Sequence, residues 1–235
     1  MNGTQKLHDL GQSLWLDNIT RGLLTSGTLR RYIAEFSVTG LTSNPSIFDH
    51  AIKNAAFYDD AIRAKAFAGK SGEELFFELA LEDLTQAADL LRPIHNATDG
   101  VDGWVSLEVS PLLADDTAAS IKAATQLHAR AQRPNLFIKI PGTRAGLPAI
   151  EETIFAGVPV NVTLLFSREQ YIAAAEAYMR AIERRDGEQA AQLMMSHLKD
   201  ATALLAREQS RQHEELLHTQ VKKTQRPVRR KAVEL

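Results

Sequence analysis

Apolar and polar residues alternate in five short stretches of the chain, and longer stretches with helical spacing separate them. The short stretches are SLWLD (13–17), FSVTGLTSNP (36–45), GWVSLEVSP (103–111), NLFIKIPGT (135–143) and VPVNVTLLFS (158–167). The intervening segments are rich in Ala and Leu, as in 73–94 and 116–131, and a fifth strand is followed by a helical stretch at 168–185. Strands that alternate with helices indicate βα units and a parallel sheet.

The pattern changes after residue 185. From Asp186 to about Val221, apolar residues recur at i, i+3 and i+4 spacing, which predicts one helical segment. The residues from 222 to 235 are basic and include a proline, which predicts a mobile tail. We therefore expect a partial βα barrel over 1–185, a helical segment over 186–221 and a tail over 222–235.

The fourth strand carries a lysine among core residues. Side chains alternate between the two faces of a strand, so Phe137 and Lys139 share one face, and Leu136, Ile138 and Ile140 share the other. In a βα barrel the outer face meets the helices, and catalytic residues lie at the carboxyl ends of the strands. We therefore expect Lys139 to point inward near the end of its strand.

The other strands repeat this design. Alternation predicts that apolar side chains face outward at Leu14, Leu16, Val105, Leu107, Val109, Val160, Val162 and Leu164. The inward positions, or the strand ends, then carry Trp15 and Asp17 on strand 1, Thr42 and Asn44 on strand 2, Ser106 and Glu108 on strand 3, and Asn161 and Thr163 on strand 5. Five strands would thus deliver polar groups to one end of one cavity.

These inward groups suit one kind of chemistry. A buried ammonium is costly without a partner, so burial favours the neutral amine. A neutral lysine amine attacks a ketone to form a Schiff base. The carboxylates of Asp17 and Glu108 would supply the proton transfers. The combination indicates a Schiff-base aldolase that forms an iminium, breaks a carbon–carbon bond and leaves an enamine.

Composition limits the other classes. The 235 residues are 44% hydrophobic with a formal net charge of −2, which is typical of a globular protein and does not indicate a nucleic-acid or membrane partner. The absence of cysteine excludes disulfides and thiolate metal sites, and the seven histidines lack metal-ligand spacing, so we predict no metal. Neither a secretory pattern nor an apolar run of about 20 residues is present, and we expect a cytoplasmic protein.

Five motifs resemble those of the transaldolase family. They are LWLDNITR (14–21), GLTSNPSIF (40–48), VSLEVSP (105–111), IKIPGT (138–143) and NVTLLFS (161–167). The likeness is greatest to the bacterial branch with the TSNPxIF signature and covers roughly residues 7–185. The resemblance implies a metal-free (β/α)8 barrel without a cofactor. It also implies transfer of a dihydroxyacetone unit between sugar phosphates, fructose 6-phosphate and sedoheptulose 7-phosphate, in the pentose phosphate pathway.

The resemblance also implies a role for each residue. Lys139 would be the Schiff-base nucleophile, and Asp17 would move the proton of the substrate C4 hydroxyl. Glu108 would act through a water in carbinolamine formation and dehydration, with Thr163 holding that water. The side chains that would contact the substrate hydroxyls are Asn44 and Asn161, with Ser106 as a more indirect contact.

The resemblance is incomplete beyond the fifth unit. A full barrel has eight strands, and the Ser and Arg that bind the substrate phosphate on the family's sixth strand have no match here. The alternatives are therefore an impaired or inactive truncated fragment, or another Schiff-base aldolase of the same barrel group. The sequence predicts no oligomeric state.

Each site residue also has a purely structural interpretation. Lys139 would be a core lysine paired with Glu108 or Asp17. Asp17 would cap a following helix, since Asp is a favoured N-cap. Glu108 would be a solvated loop carboxylate, and Asn44 before a proline would form a turn. Asn161 and Thr163 would satisfy polar groups inside the barrel.

Overall fold

The computed structural model describes residues 2–54 and 56–185, which belong to a compact unit spanning Met1–Arg185. Within them, five parallel strands form one sheet in the order in which they follow along the chain. The strands are β1 (Leu14–Asp17), β2 (Val38–Thr42), β3 (Trp104–Glu108), β4 (Leu136–Pro141) and β5 (Val160–Thr163). The predicted helical segment at 186–221 and the predicted tail lie outside the described residues.

Helices connect every pair of consecutive strands. Their bounds are α1 (Gly3–Asp9), α2 (Arg21–Thr25), α3 (Thr28–Phe36), α4 (Pro45–Asn54), α5 (Asp59–Phe67), α6 (Gly72–Ala97), α7 (Thr117–Ala131), α8 (Gly146–Phe155) and α9 (Arg168–Arg185). Short 3-10 turns occur at Ala56–Tyr58 and Pro111–Leu113. Repeated strand–helix units in sequential order are the first five units of a (β/α)8 barrel, as the motifs predicted.

The sheet curls as a barrel wall does. Neighbouring strands lie about 4.8 Å apart, so a flat sheet would separate β1 from β4 by about 14 Å. The rings of Trp15 on β1 and Phe137 on β4 nevertheless stack with their centroids 6.4 Å apart. Asn161 on β5 also donates a hydrogen bond to Ser106 on β3, across the strand between them. These contacts place the two residues of each pair on the concave face.

The convex face of the sheet forms the core. Leu136, Ile138 and Ile140 of β4 are fully buried, together with Val105 and Leu107 of β3. They join one hydrophobic cluster with apolar residues of α6, α7 and α8. Phe137 and Lys139, on the other face, are less completely buried, so the predicted alternation of β4 is confirmed.

One outward assignment was wrong. β5 ends at Thr163, and Leu164 follows it with a backbone φ of +60° and an exposed side chain. A left-handed residue breaks the alternation of a strand, so counting in steps of two fails at this position. Val160 and Val162, which lie inside β5, pack against the core as predicted.

The two longest predicted helical segments between strands are also observed. The long helix α6 contains Pro93 near its carboxyl end and covers the predicted segment 73–94, and α7 covers 116–131 to within a residue. Among the described residues, no helix has both the length and the apolar character that a membrane span requires.

Candidate active site

The centre of the concave face is a lysine–glutamate pair. Lys139 of β4 and Glu108 of β3 are register partners, so their side chains leave the sheet side by side. Lys139 Nζ lies 3.1 Å from Glu108 Oε2, and the two side chains are only 13% and 15% exposed. The solvated-loop interpretation of Glu108 is therefore wrong. A carboxylate at this distance can exchange protons with groups attached to the amine.

A main-chain carbonyl provides the second partner of the lysine. Lys139 Nζ donates to Ser43 O at 3.3 Å, just beyond the end of β2. Ser43 is buried, and its hydroxyl donates to Ser106 O at 2.8 Å. Sequence reasoning missed Ser43. Its position next to Asn44 in the TSNP motif was the available signal.

Asn161 and Ser106 form a hydrogen-bonded pair beside the lysine. Asn161 of β5 is the register partner of Lys139 on the side opposite Glu108. Its Nδ2 donates to Ser106 Oγ at 3.1 Å. Ser106 is fully buried, whereas Asn161 is half-buried. The fold therefore brings both residues to the same site as Lys139.

Asn44 has a structural role at the start of α4. Its Oδ1 accepts from Ile47 N at 2.9 Å, which caps the start of α4 at Pro45. An Asn before the first helical residue satisfies one of the free backbone N–H groups there. Asn44 therefore caps a helix in place of the turn that the Asn-Pro pair suggested. The capping bond uses only the side-chain oxygen of Asn44.

Asp17 lies at the same end of the sheet but apart from the lysine. It is the exposed last residue of β1 and the register partner of Thr42 on β2. The capping interpretation is wrong, because the N-cap of α2 is Thr20, whose hydroxyl accepts from Leu23 N. No direct contact joins Asp17 to Lys139 among the described residues.

Thr163 closes the site on the β5 side. It is the half-buried last residue of β5 and the register partner of Pro141. Within residues 2–54 and 56–185, no direct hydrogen bond joins its hydroxyl to Glu108. Its implied role through a water therefore stays a prediction.

An aromatic layer lies one step below the lysine. Phe137, two residues before Lys139, stacks on Trp104 of β3 at 3.9 Å and faces Trp15 of β1. Gly40 of β2 makes room for Trp15, since a Cβ there would lie 2.4 Å from the indole ring. These rings fill the inner face beneath the polar groups. The sequence predicted an inward Trp15, but it did not predict the stack.

Other charged groups are engaged away from this site. Asp83 of α6 is fully buried and accepts hydrogen bonds from Tyr58 and Arg21, and its burial raises the pKa of its carboxyl group. A surface cavity of about 240 Å³ lies between α6 and α7, and none of the predicted site residues lines it. In the described part of the chain, no cluster of three His, Asp or Glu side chains is arranged to hold a metal.

The comparison with known families decides the relationship. The family model for transaldolase/fructose-6-phosphate aldolase matches residues 14–231. The chain belongs to this transaldolase/fructose-6-phosphate aldolase family. The motifs that suggested the family are also the segments that form the concave site, from β1 to β5.

The match to transaldolase relatives covers most of this chain but only about half of each relative's length. A transaldolase of Arthrobacter sp. (strain FB24) is 47% identical over 184 residues, covering 78% of this chain and 50% of the relative. Transaldolase 2 of Nostoc sp. (strain PCC 7120) is 43% identical over 185 residues, covering 79% and 49%. A transaldolase of Thermobifida fusca is 47% identical over 180 residues, covering 77% and 49%. The chain thus spans about half the length of these relatives.

Proposed function

We propose that this protein is a transaldolase that moves a dihydroxyacetone unit between sugar phosphates through a Schiff base on Lys139. The observation that carries the proposal is the pair of Lys139 and Glu108, with an amine and a carboxylate 3.1 Å apart on the concave face. Membership of the family supports the same chemistry. We place the reaction in the cytoplasmic pentose phosphate pathway, with sugar phosphates as substrates and no metal or cofactor.

The first step joins the ketone to the lysine. The neutral amine of Lys139 attacks C2 of fructose 6-phosphate, and the carbonyl oxygen takes a proton to give a carbinolamine. Glu108 relays protons through a water that Thr163 holds, and the carbinolamine loses its hydroxyl as water. The product is an iminium that withdraws electrons from C3.

The second step breaks the C3–C4 bond. Asp17 takes the proton of the C4 hydroxyl, a three-carbon aldehyde phosphate leaves, and the bonding electrons flow to the iminium to give an enamine. Asp17 lies on β1, which the curl of the sheet brings across the concave face from β4, the strand of Lys139. Asn44 and Asn161 hold the hydroxyls, and Ser106 accepts a hydrogen bond from Asn161 behind them. A four-carbon aldehyde phosphate then accepts the unit, which gives the seven-carbon ketose, and hydrolysis frees the lysine.

Borohydride trapping tests this proposal. Wild-type protein incubated with fructose 6-phosphate and reduced should gain one covalent adduct, which peptide mapping places on Lys139. Lys139→Met should gain none, whereas Lys122→Met should behave as wild type, because Lys122 is an exposed lysine of α7. A folded wild-type protein without an adduct would support the structural-lysine interpretation and an inactive or impaired fragment.

A second Schiff-base aldolase activity is the alternative that the family description itself supports, since it also includes fructose-6-phosphate aldolase. The two activities differ in the fate of the enamine. An aldolase protonates it and releases free dihydroxyacetone without an acceptor, whereas a transaldolase needs the four-carbon aldehyde phosphate. Measuring free dihydroxyacetone with and without that acceptor separates them.

A further inference from the structure

The amine of Lys139 has two acceptors at fixed positions. One is the carboxylate of Glu108, and the other is the main-chain carbonyl of Ser43, at 3.1 and 3.3 Å from Nζ. A neutral amine has two N–H bonds and one lone pair around a tetrahedral nitrogen. If the two N–H bonds point to the two acceptors, the tetrahedral geometry also fixes the direction of the lone pair.

The carbonyl of Ser43 is held from both sides. Before it, the serine hydroxyl donates to Ser106 O at 2.8 Å and ties the end of β2 to β3. After it, Asn44 caps α4, which begins at Pro45. Ser43 is only 1% exposed, so solvent does not replace its hydrogen bond. The serine side chain thus fixes a carbonyl that faces the lysine.

We propose that Ser43 is a positioning residue for the Schiff-base step. Its hydroxyl holds its own carbonyl in place, and that carbonyl together with Glu108 orients the lone pair of Lys139 toward the ketone. The inference rests on the proposed function, since it assigns a task only if Lys139 is the nucleophile. Small losses of alignment between reacting atoms slow a reaction strongly without changing ligand contacts.

A matched pair of serine variants tests the proposal. Ser43→Ala removes the hydroxyl bond to Ser106 O, and Ser120→Ala removes a hydroxyl bond of the same kind, from the buried Ser120 of α7 to Leu113 O at 2.9 Å. Timed borohydride quenching with fructose 6-phosphate gives the trapping rate and its dependence on sugar concentration. Ser43→Ala should lower the saturating rate about tenfold and leave the half-saturating concentration within about twofold. Ser120→Ala should change neither.

A second measurement needs no change at Ser43. Ser43–Asn44 is the single Ser-Asn pair in the sequence, so carbonyl-¹³C serine with ¹⁵N asparagine labels one peptide group. The carbonyl ¹³C resonance of Ser43 should move upfield in Lys139→Met, which removes the donor, and stay in place in Lys122→Met. This measurement decides the contact even where Ser43→Ala does not fold.

The outcomes separate this inference from the proposed function. Failure of wild-type protein to form an adduct on Lys139 overturns both. Normal trapping by the wild type with equal rates in Ser43→Ala and Ser120→Ala overturns the role of Ser43 alone, as does an unchanged carbonyl resonance in Lys139→Met. A slower saturating rate confined to Ser43→Ala supports it.

Discussion

The environment of Lys139 suits both a catalytic and a purely structural lysine. Its strand supplies Leu136, Ile138 and Ile140 to the core, and the same strand turns Lys139 to the concave face. The ion pair with Glu108 satisfies the charge of the lysine, which also suits a purely structural role. Pairing alone therefore does not distinguish a nucleophile from a core lysine. The chemistry of the neighbouring residues must decide.

Glu108→Gln separates these two roles. Glutamine keeps an acceptor for Lys139 but cannot carry a proton, so Schiff-base formation should slow about 100-fold if Glu108 is a proton carrier. Stopped-quench trapping with fructose 6-phosphate measures the rate, and Glu176→Gln on the exposed face of α9 is the control. Equal single-turnover rates in Glu108→Gln and wild type would leave the carboxylate with a structural role.

Tryptophan fluorescence should report occupancy of the site. The two tryptophans of the chain, Trp15 and Trp104, both face Phe137 beneath Lys139. Adduct formation should change the emission, and Trp15→Phe should remove most of the change, because Trp15 is 37% exposed on this face. Titration with fructose 6-phosphate measures it. An emission change of full size in Trp15→Phe would contradict the placement of Trp15.

At this scale the sequence predicted faces better than contacts. Alternation assigns Lys139 and Glu108 to one face because the period of a strand is two residues. The contact of Lys139 with Ser43 O depends instead on the curl of the sheet, since it joins β4 to the end of β2. A backbone acceptor also leaves no trace in residue type. The stack of Trp15 on Phe137 also depends on the curl of the sheet, because it joins β1 to β4, and the sequence did not predict it.

Among the elements, α9 is held to its neighbour by charge as well as by packing. Ala174, Ala177 and Ala181 are buried, and small side chains allow helices to approach closely. Arg180 and Arg184 of α9 meet the carboxylates of Glu151 and Glu152 on α8. Arg184 also lies over the ring of Phe155, 4.1 Å from its centroid. These contacts hold the last described helix against the fourth βα unit.

The α8–α9 contact should weaken in acid. The hydrogen bond from Arg180 lowers the pKa of Glu151 below its ordinary value. A carboxyl whose pKa is lower in the folded state stabilises the fold above its unfolded pKa of about 4.5, and that stability is lost as the pH falls through the folded value. Because both arginines are substantially exposed, Glu151→Gln should cost only about 0.5–1 kcal/mol at pH 7.

Urea unfolding at pH 7 and pH 3 measures this difference. The gap in unfolding free energy between wild type and Glu151→Gln should narrow at pH 3, because the stability that the ionised carboxylate contributes is lost as the pH falls through its lowered folded pKa. Glu176→Gln is the matched control, since Glu176 is on α9 and forms no ion pair among the described residues. A gap of unchanged size in acid would mean that the two helices are held by packing alone.

The sequence predicted the positions of the helices and strands better than the ends of the strands. The predicted helix at 168–185 coincides with α9, and all five predicted strands contain an observed one. The predicted strand stretches were longer than the observed strands. Pro and Gly set the outer limit of a strand, but the hydrogen-bonded pairing that defines the strand stops before them. β5 illustrates this, since it pairs only as far as Thr163 before the left-handed Leu164.

For the whole molecule, the decisive fact is that the chain spans about half the length of its relatives. The hydrogen-bond and register partners of Lys139 nevertheless lie within the first five units. They are Ser43, which directly follows β2, Glu108 of β3 and Asn161 of β5. The five described units therefore contain the residues proposed for Schiff-base formation.

A chain ending at Arg185 tests whether these units suffice. Residues Met1–Arg185 form a compact unit with one main hydrophobic cluster, so the shortened chain should fold and unfold cooperatively. It should form the Lys139 adduct with fructose 6-phosphate at a saturating rate within about threefold of the full chain, because the groups that align the amine are retained. Circular dichroism checks the fold and timed borohydride quenching checks the rate.

A short chain that folds but does not react would show that residues 186–235 contribute to the site. A short chain that does not fold would show that they contribute to stability. Either result would contradict the view that the first five units carry the Schiff-base chemistry by themselves.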